Sequence, residues 1–232
     1  MGWQNLLEPL LDFLAPPLCV VCRNPSETLL CPTCEQNLNA LRIQKPYCRR
    51  CGTPLRGWQC PKCHGRSLQF DRARGAFLYT GPVASVVESL KYQGFRGLSR
   101  WMAREMAAVV PRQEEIHGIV PVPLHPARIR ERGFSQTRLL ARELAALLGI
   151  PMIPMLRRVR YTRSQTTLTP QERRRNLRGA FALTVPPDQV QGKTWLLVDD
   201  VMTTMTTLNE AARPLRRAGA GRILAVLFAI AP

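Results

Sequence analysis

An α/β domain with a mostly parallel, helix-covered sheet, preceded by a small cysteine-rich metal module, is the fold class the sequence predicts. All eight cysteines fall between positions 19 and 63. From about Asp71 onward, short apolar runs alternate with helical patterns, which is the signature of a sheet packed between helices. The chain has 232 residues, 45% of them apolar and 21% charged, enough for one ordinary domain plus a small module; this excludes a disordered or collagen-like chain.

The chain opens with Trp3, Leu6, Leu7, Leu10 and Leu14 on one helical face, and Pro16 and Pro17 end the pattern. Residues 1–17 therefore read as an amphipathic helix docked on the body, with a membrane-surface helix as the competing reading. Glu8 and Asp12 interrupt the apolar stretch and no basic segment precedes it, so it fails as a secretion signal. Leu6 stands where a myristoylation signal needs Ser or Thr. No run of about 18 apolar residues occurs, and a cytoplasmic protein is expected.

Residues 18–66 form the metal module. The cysteines make four Cys-x-x-Cys pairs, Cys19/Cys22, Cys31/Cys34, Cys48/Cys51 and Cys60/Cys63, spaced as C-x2-C-x8-C-x2-C twice with an offset of 29 residues. Two thiolates two residues apart grip one ion from a single turn, and a second such turn completes the tetrahedral shell that zinc prefers. Disulfides suit a secreted chain, and an iron–sulfur cluster also takes four cysteines, but repeated paired knuckles favour two zinc ions. The repeat favours local pairing, Cys19, Cys22, Cys31 and Cys34 on one ion and Cys48, Cys51, Cys60 and Cys63 on the other; a crossed arrangement stays open at this level. His64 is a neighbour, since four thiolates fill the shell. Closed sites of this kind contribute folding energy rather than catalysis.

Residues 67–232 supply the α/β domain. Strand candidates are Ala73–Thr80, Gly118–Val122, Phe181–Val185, Trp195–Asp199 and Arg222–Ile230, rich in Val, Ile and Leu as strands buried on both faces must be. Helical stretches fall near Val83–Tyr92, Leu98–Val110, Ser135–Leu148 and Thr206–Ala218, with Ser135 as an N-cap and Gly149 and Gly219 as stops. Trp101, Met102 and Met106 fit the core. Ordinary loop polarity accounts for His117 and His125.

The charge is lopsided: 33 Lys+Arg against 16 Asp+Glu give +17, and only four of the basic residues are Lys. Such a surface attracts phosphate, whether on nucleic acid or on a small substrate.

The chemistry concentrates at residues 195–208. An apolar strand runs into Asp199 and Asp200, then into a hydroxyl-rich loop, then into a helix. In an open α/β sheet, ligands bind at the carboxyl ends of the strands. The hydroxyls of Thr203, Thr204, Thr206 and Thr207, with backbone N–H groups and the positive end of the helix, suit a phosphate. Two carboxylates beside an anion site make sense for a ligand offering both hydroxyls and phosphate, as a phosphorylated sugar does.

The sequence resembles the ComF-type family of competence/GntX-like proteins, built on the type I phosphoribosyltransferase fold. The resemblance rests on F-L-A-P-P-L-C at 13–19, the four cysteine pairs, L-K-Y-Q-G-F at 90–95, V-P-V-P-L at 120–124, and R-x-R-E-R-G-F-S-Q at 128–136. It continues with Q-x-x-L-x-x-x-x-R-x-x-N from Gln165 to Asn176 and V-D-D-V-M-T-T at 198–204. It implies a Rossmann-like, mostly parallel domain behind a double zinc ribbon, with a site for 5-phosphoribosyl 1-diphosphate and Mg²⁺. By that resemblance Asp199 and Asp200 hold the ribose, residues 203–207 the 5′-phosphate, and Pro123 and Leu124 supply backbone near the diphosphate. The span Arg157–Arg178, with eight arginines against one acid, matches the hood over such a site. Arg132, Arg173 and Asn176 are its candidate ligands, with Arg173 counted beside the two acids as catalytic. Lys91 could reach a phosphate or serve the structure.

One position departs from the pattern. The fold's usual loop is T-T-G-x-T, and here Met205 replaces the glycine. If that position is left-handed, a side chain there costs about 1–2 kcal/mol and crowds the phosphate. Two functions are thus expected to compete or coexist: a phosphoribosyl transferase, and a competence protein whose zinc ribbons and arginines engage single-stranded DNA or a DNA-uptake helicase.

Overall fold

The computed structural model describes residues 18–111, 113–160 and 177–232. The amphipathic segment 1–17, the middle of the arginine-rich span, and Arg173 and Asn176 within it lie outside the described residues.

In the metal module a single turn recurs. The N–H of Arg23 donates to the Cys19 carbonyl, that of Gly52 to Cys48 and that of His64 to Cys60, at 2.9, 2.9 and 3.1 Å. In the remaining pair the turn is the start of helix α1 (Pro32–Asn39), where Pro32 suits a first-turn position and the Cys31 side chain caps the Cys34 N–H. The recurring turn drives the residue after Cys22 and Cys51 into left-handed backbone, φ +64° at Arg23 and +75° at Gly52. Only glycine fits the latter place, because a Cβ there would lie 2.7 Å from the Ala73 carbonyl oxygen.

The α/β domain follows as β1 (Arg72–Leu78), α2 (Gly81–Tyr92), α3 (Leu98–Ala107), β2 (Gly118–Pro121), α4 (Pro126–Arg132) and α5 (Gln136–Leu148). It continues with β3 (Leu156–Arg158), β4 (Phe181–Leu183), β5 (Thr194–Met202), α6 (Thr206–Arg217) and β6 (Arg222–Ile230). Four strands form one parallel sheet in the order β1-β6-β5-β2. Alternate residues of β5 and β6 face two cores. Leu196, Val198, Val226 and Phe228 share one with Val86 and Leu90 of α2, Met102 of α3 and Leu140 of α5. Trp195, Leu197, Ala225 and Leu227 share the other with Leu208 and Leu215 of α6 and the four cysteines of the second knuckle. Strands buried on both faces explain why their sequences run apolar instead of alternating.

Helix α5 begins where the sequence indicates, the Ser135 hydroxyl accepting the Arg138 N–H at 3.3 Å, and ends on left-handed Gly149. Two strands differ from expectation. The stretch Phe181–Val185 does not join the parallel sheet; its first three residues pair antiparallel with β3. These strands are three residues each and close the two ends of the arginine-rich span on one another, a local pairing that costs less loop entropy than a place in the main sheet. Strand β5 also runs on past Asp199 through Asp200 to Met202 rather than stopping at Asp199, because β6 pairs with it as far as Ile230. Among the described residues no helix is long and apolar enough to cross a membrane.

Candidate functional site

The sulfurs sort into two sets, Cys19, Cys22, Cys31, Cys34 and Cys48, Cys51, Cys60, Cys63, each with its four ligand atoms within 4.8 Å of one another. The pairing is sequential, not crossed. A tetrahedron with Zn–S bonds of about 2.3 Å has edges of about 3.8 Å. The sulfurs of Cys22 and Cys31 are 3.8 Å apart, those of Cys48 and Cys63 3.5 Å, and those of Cys51 and Cys60 3.4 Å, so the residues fit zinc. All eight cysteines are free of disulfides. Burial alone would raise the Cys19 thiol, but N–H groups of Cys31, Cys22 and Val21 outweigh it and bring it down to about 6. At Cys48, burial is likewise outweighed by N–H groups of Cys51 and Arg50, giving about 7. At these two positions backbone donors thus favour the thiolate that metal requires, while burial holds the Cys34, Cys51 and Cys63 thiols up. His64 is exposed and stands outside both sets.

At the other centre, β5 carries Asp199 and Asp200, 9% and 4% exposed, to the carboxyl end of the sheet. The two acids have different partners. Asp200 pairs with Lys91 of α2, Nζ to Oδ2 at 2.5 Å. Burial works against the Asp200 charge, but the Lys91 ammonium prevails and holds the carboxyl below the usual range. Among the described residues, no such cation pairs with Asp199. Burial and the adjacent Asp200 charge push it well above the usual carboxylate range, the opposite direction from Asp200. Arg158 of β3 also feels this acid: burial lowers its pKa and Asp199 opposes that shift.

Asp199 lines a small cavity of about 50 Å³ together with Thr203, Thr204, Met205, Thr206 and Thr207. That volume is above the roughly 10–15 Å³ needed to hold a single water, so it leaves room for a small polar group. The loop ends at the start of α6, which has no side-chain cap, so its first N–H groups remain available to an anion. The Thr204 and Thr206 hydroxyls are 3.1 Å apart. Met205 is left-handed, φ +62°, as the glycine position of this loop demands. Its side chain is 3% exposed and belongs to the core that includes Met202 and Leu208, while also lining the cavity.

Pro123 and Leu124 lie in the loop that leaves β2 beside β5, where the Val122 N–H donates to Val198 O at 2.9 Å and Pro121 is level with Val198. His125 caps α4, its Nδ1 accepting the Ala127 N–H at 3.2 Å, and His117 accepts the Thr194 N–H at the opposite end of β5. Both histidines are therefore structural contacts. Arg132 lies 5.0 Å from the ring centre of Tyr92, the residue that follows Lys91, and donates to Gln136. The sequence named Lys91 without its partner and did not single out Arg158. The signal for Lys91 was its place in L-K-Y-Q-G-F at 90–95; none marked Arg158 among its neighbours.

A parallel sheet with an acid-bearing strand feeding a threonine loop and a helix, fronted by paired cysteine knuckles, defines a phosphoribosyltransferase-type domain joined to a double zinc ribbon. Comparison with protein-family models agrees: a double zinc ribbon domain matches residues 10–65 and a phosphoribosyl transferase domain residues 133–231. The chain is 31% identical to Competence protein F of Haemophilus influenzae over 88% of its own length and 93% of that protein. It is 34% identical to the DNA utilization protein YhgH of Salmonella typhimurium over 90% and 94%, and 25% identical to Competence protein ComFC of Bacillus subtilis over 89% and 82%. The chain belongs to the ComF family of competence and DNA utilization proteins.

Proposed function

We propose that this protein is a DNA-handling protein of the competence type whose α/β domain binds 5-phosphoribosyl 1-diphosphate. The observation that carries the ligand assignment is the Asp199-lined cavity at the uncapped start of α6. In this reading Asp199 meets the ribose hydroxyls and residues 203–207 hold the 5′-phosphate. Pro123 and Leu124 lie along the diphosphate, with Arg132 near it and Arg173 and Asn176 assigned from the hood motif. Asp200, already tied to Lys91, acts as a positioning residue that fixes the end of β5. Mg²⁺ bound with the donor would neutralise diphosphate charge. Arginines of the hood would stabilise the departing diphosphate and so support transfer of the phosphoribosyl group to an acceptor.

Calorimetry with the donor and Mg²⁺ tests this: heat of binding that Asp199→Ala abolishes is expected, and no heat at millimolar donor would sink the assignment. Met205→Gly should bind the donor more tightly, because it relieves the left-handed strain and opens the cavity. An unchanged affinity would mean that Met205 does not limit the loop.

The DNA role rests on the names of the relatives and on charge. Residues 36–70 contain seven basic side chains and no acid. Single-stranded DNA, with a helicase as its protein partner, is the proposed macromolecular ligand. Binding that weakens steeply with salt is expected, and a salt-independent signal would remove this reading.

A further inference from the structure

We propose that the second zinc knuckle is the contact for single-stranded nucleic acid, with the Trp58 ring stacking on a base and Lys45, Arg49 and Arg56 taking backbone phosphates. This rests on the DNA-handling reading above and assigns it to one of two sequence repeats.

Trp58 is fully exposed at 103% of its reference surface, in a protein whose Trp101 and Trp195 are packed. An indole held entirely in water contributes no burial to folding and leaves its whole face free to stack on a partner. It stands two residues before Cys60, and the metal-binding turn fixes that point of the chain. The platform is thereby pre-organised.

The same knuckle gathers charge. The Leu55 N–H donates to Pro46 O at 3.0 Å and Tyr47 bridges Pro54, which sets Lys45 alongside Arg56, two residues from Trp58. Lys45, Arg49 and Arg56 are all exposed. In the first knuckle the equivalent inter-cysteine loop carries Leu29 and Leu30 into the core instead. Aromatic faces interleaved with cations are how proteins hold unpaired bases without sequence preference, whereas a duplex keeps its base faces stacked and out of reach.

The test uses the full-length, zinc-loaded protein and a fluorescein-labelled oligothymidylate of about 20 nucleotides. Trp58→Ala should weaken binding about tenfold, and Trp58→Tyr should stay within about threefold of wild type. The Arg49→Ala, Arg56→Ala double variant should lower the salt slope by about 1.4, at about 0.7 per single-strand phosphate contact. Because Trp58 is fully exposed among the described residues, zinc content and melting temperature should be unchanged in Trp58→Ala. Wild-type binding with no loss in Trp58→Ala overturns the knuckle assignment and leaves the DNA reading standing; no wild-type binding overturns both. Displacement of the oligonucleotide by polyglutamate at equal charge would identify an acidic protein surface as the partner and overturn the nucleic-acid assignment.

Discussion

The two knuckles share one cysteine spacing and have been put to opposite uses. In the first, the metal edge is open and the apolar end of the inter-cysteine loop turns inward: Cys22 is exposed and Cys31 half-buried, while Val20 and Leu30 join the core around Phe77. It is also tied down at its rim, Arg23 donating to Gln93 and the Trp101 indole to Glu35 of α1. In the second, all four cysteines are at most 8% exposed and pack against the sheet, while the inter-cysteine loop projects Trp58 and Arg56 into water. Duplication supplied the metal sites, and neighbours decided which part of each faces inward. The same asymmetry recurs at Asp199 and Asp200, identical residues in adjacent positions that take a cavity and a lysine respectively.

Several measurements would break or sharpen this comparison. The largest effect is expected on removing a ligand from the inward-facing metal site. Cys51→Ser should cost at least about 5 kcal/mol, seen as a drop of about 10–20 °C in melting temperature, because metal binding there is coupled to the core of the sheet. Cys22→Ser, at the exposed edge, should cost clearly less. Equal losses would mean that the two sites are energetically alike.

Next in size is the acid pair. Lys91→Met leaves Asp200 buried without its cation and should cost about 3–5 kcal/mol, with Asp200→Asn in the same chain recovering much of it. The two acids should also respond to pH with opposite sign. The folded pKa of Asp200 lies below the ordinary value near 3.8, so its contribution is present above that pH and is lost as pH falls through the folded value. That of Asp199 is raised, so its contribution is full below about 3.8 and disappears as pH rises through the folded value. Asp199→Asn should therefore raise the melting temperature at pH 8 and leave it unchanged near pH 4, while Asp200→Asn should lower it at pH 8. Shifts of the same sign would show that the pair is not divided as described.

Zinc release gives a smaller, kinetic contrast. With a chelator in excess and a colorimetric zinc indicator, release should be biphasic, the first ion leaving about tenfold sooner through the opening at Cys22. Cys22→Ser should remove the fast phase only. The smallest net effect belongs to Met205→Gly, where about 1–2 kcal/mol of relieved strain opposes about 2–5 kcal/mol of lost burial, leaving a modest fall in melting temperature. A rise would show that the thioether contributes little to the core.

Much of this was legible in the chain. Periodicity located the main strands and helices within a few residues, since strands buried on both faces must be uniformly apolar and a helix cap such as Ser135 is a local event. The cysteine repeat announced the metal sites, and the glycine position taken by Met205 was recognisable as a left-handed place in a phosphate loop. Less visible was the fate of Phe181–Leu183, because a three-residue strand carries too little pattern to name its partner. Arg158 was hidden for a different reason: among eight arginines in the span 157–178, only position relative to Asp199 separates one from the rest.

By itself, then, the sequence determined the elements whose causes are local: apolar runs, caps, turns, thiolate spacing and a strained loop residue. Tertiary structure decided which like residue does what. Cys22 against Cys51 and Asp199 against Asp200 differ through burial and through partners many residues away, such as Lys91 for Asp200. Charge state, metal access and surface display follow from the dielectric and the neighbours around a side chain, and these exist only once distant segments have packed.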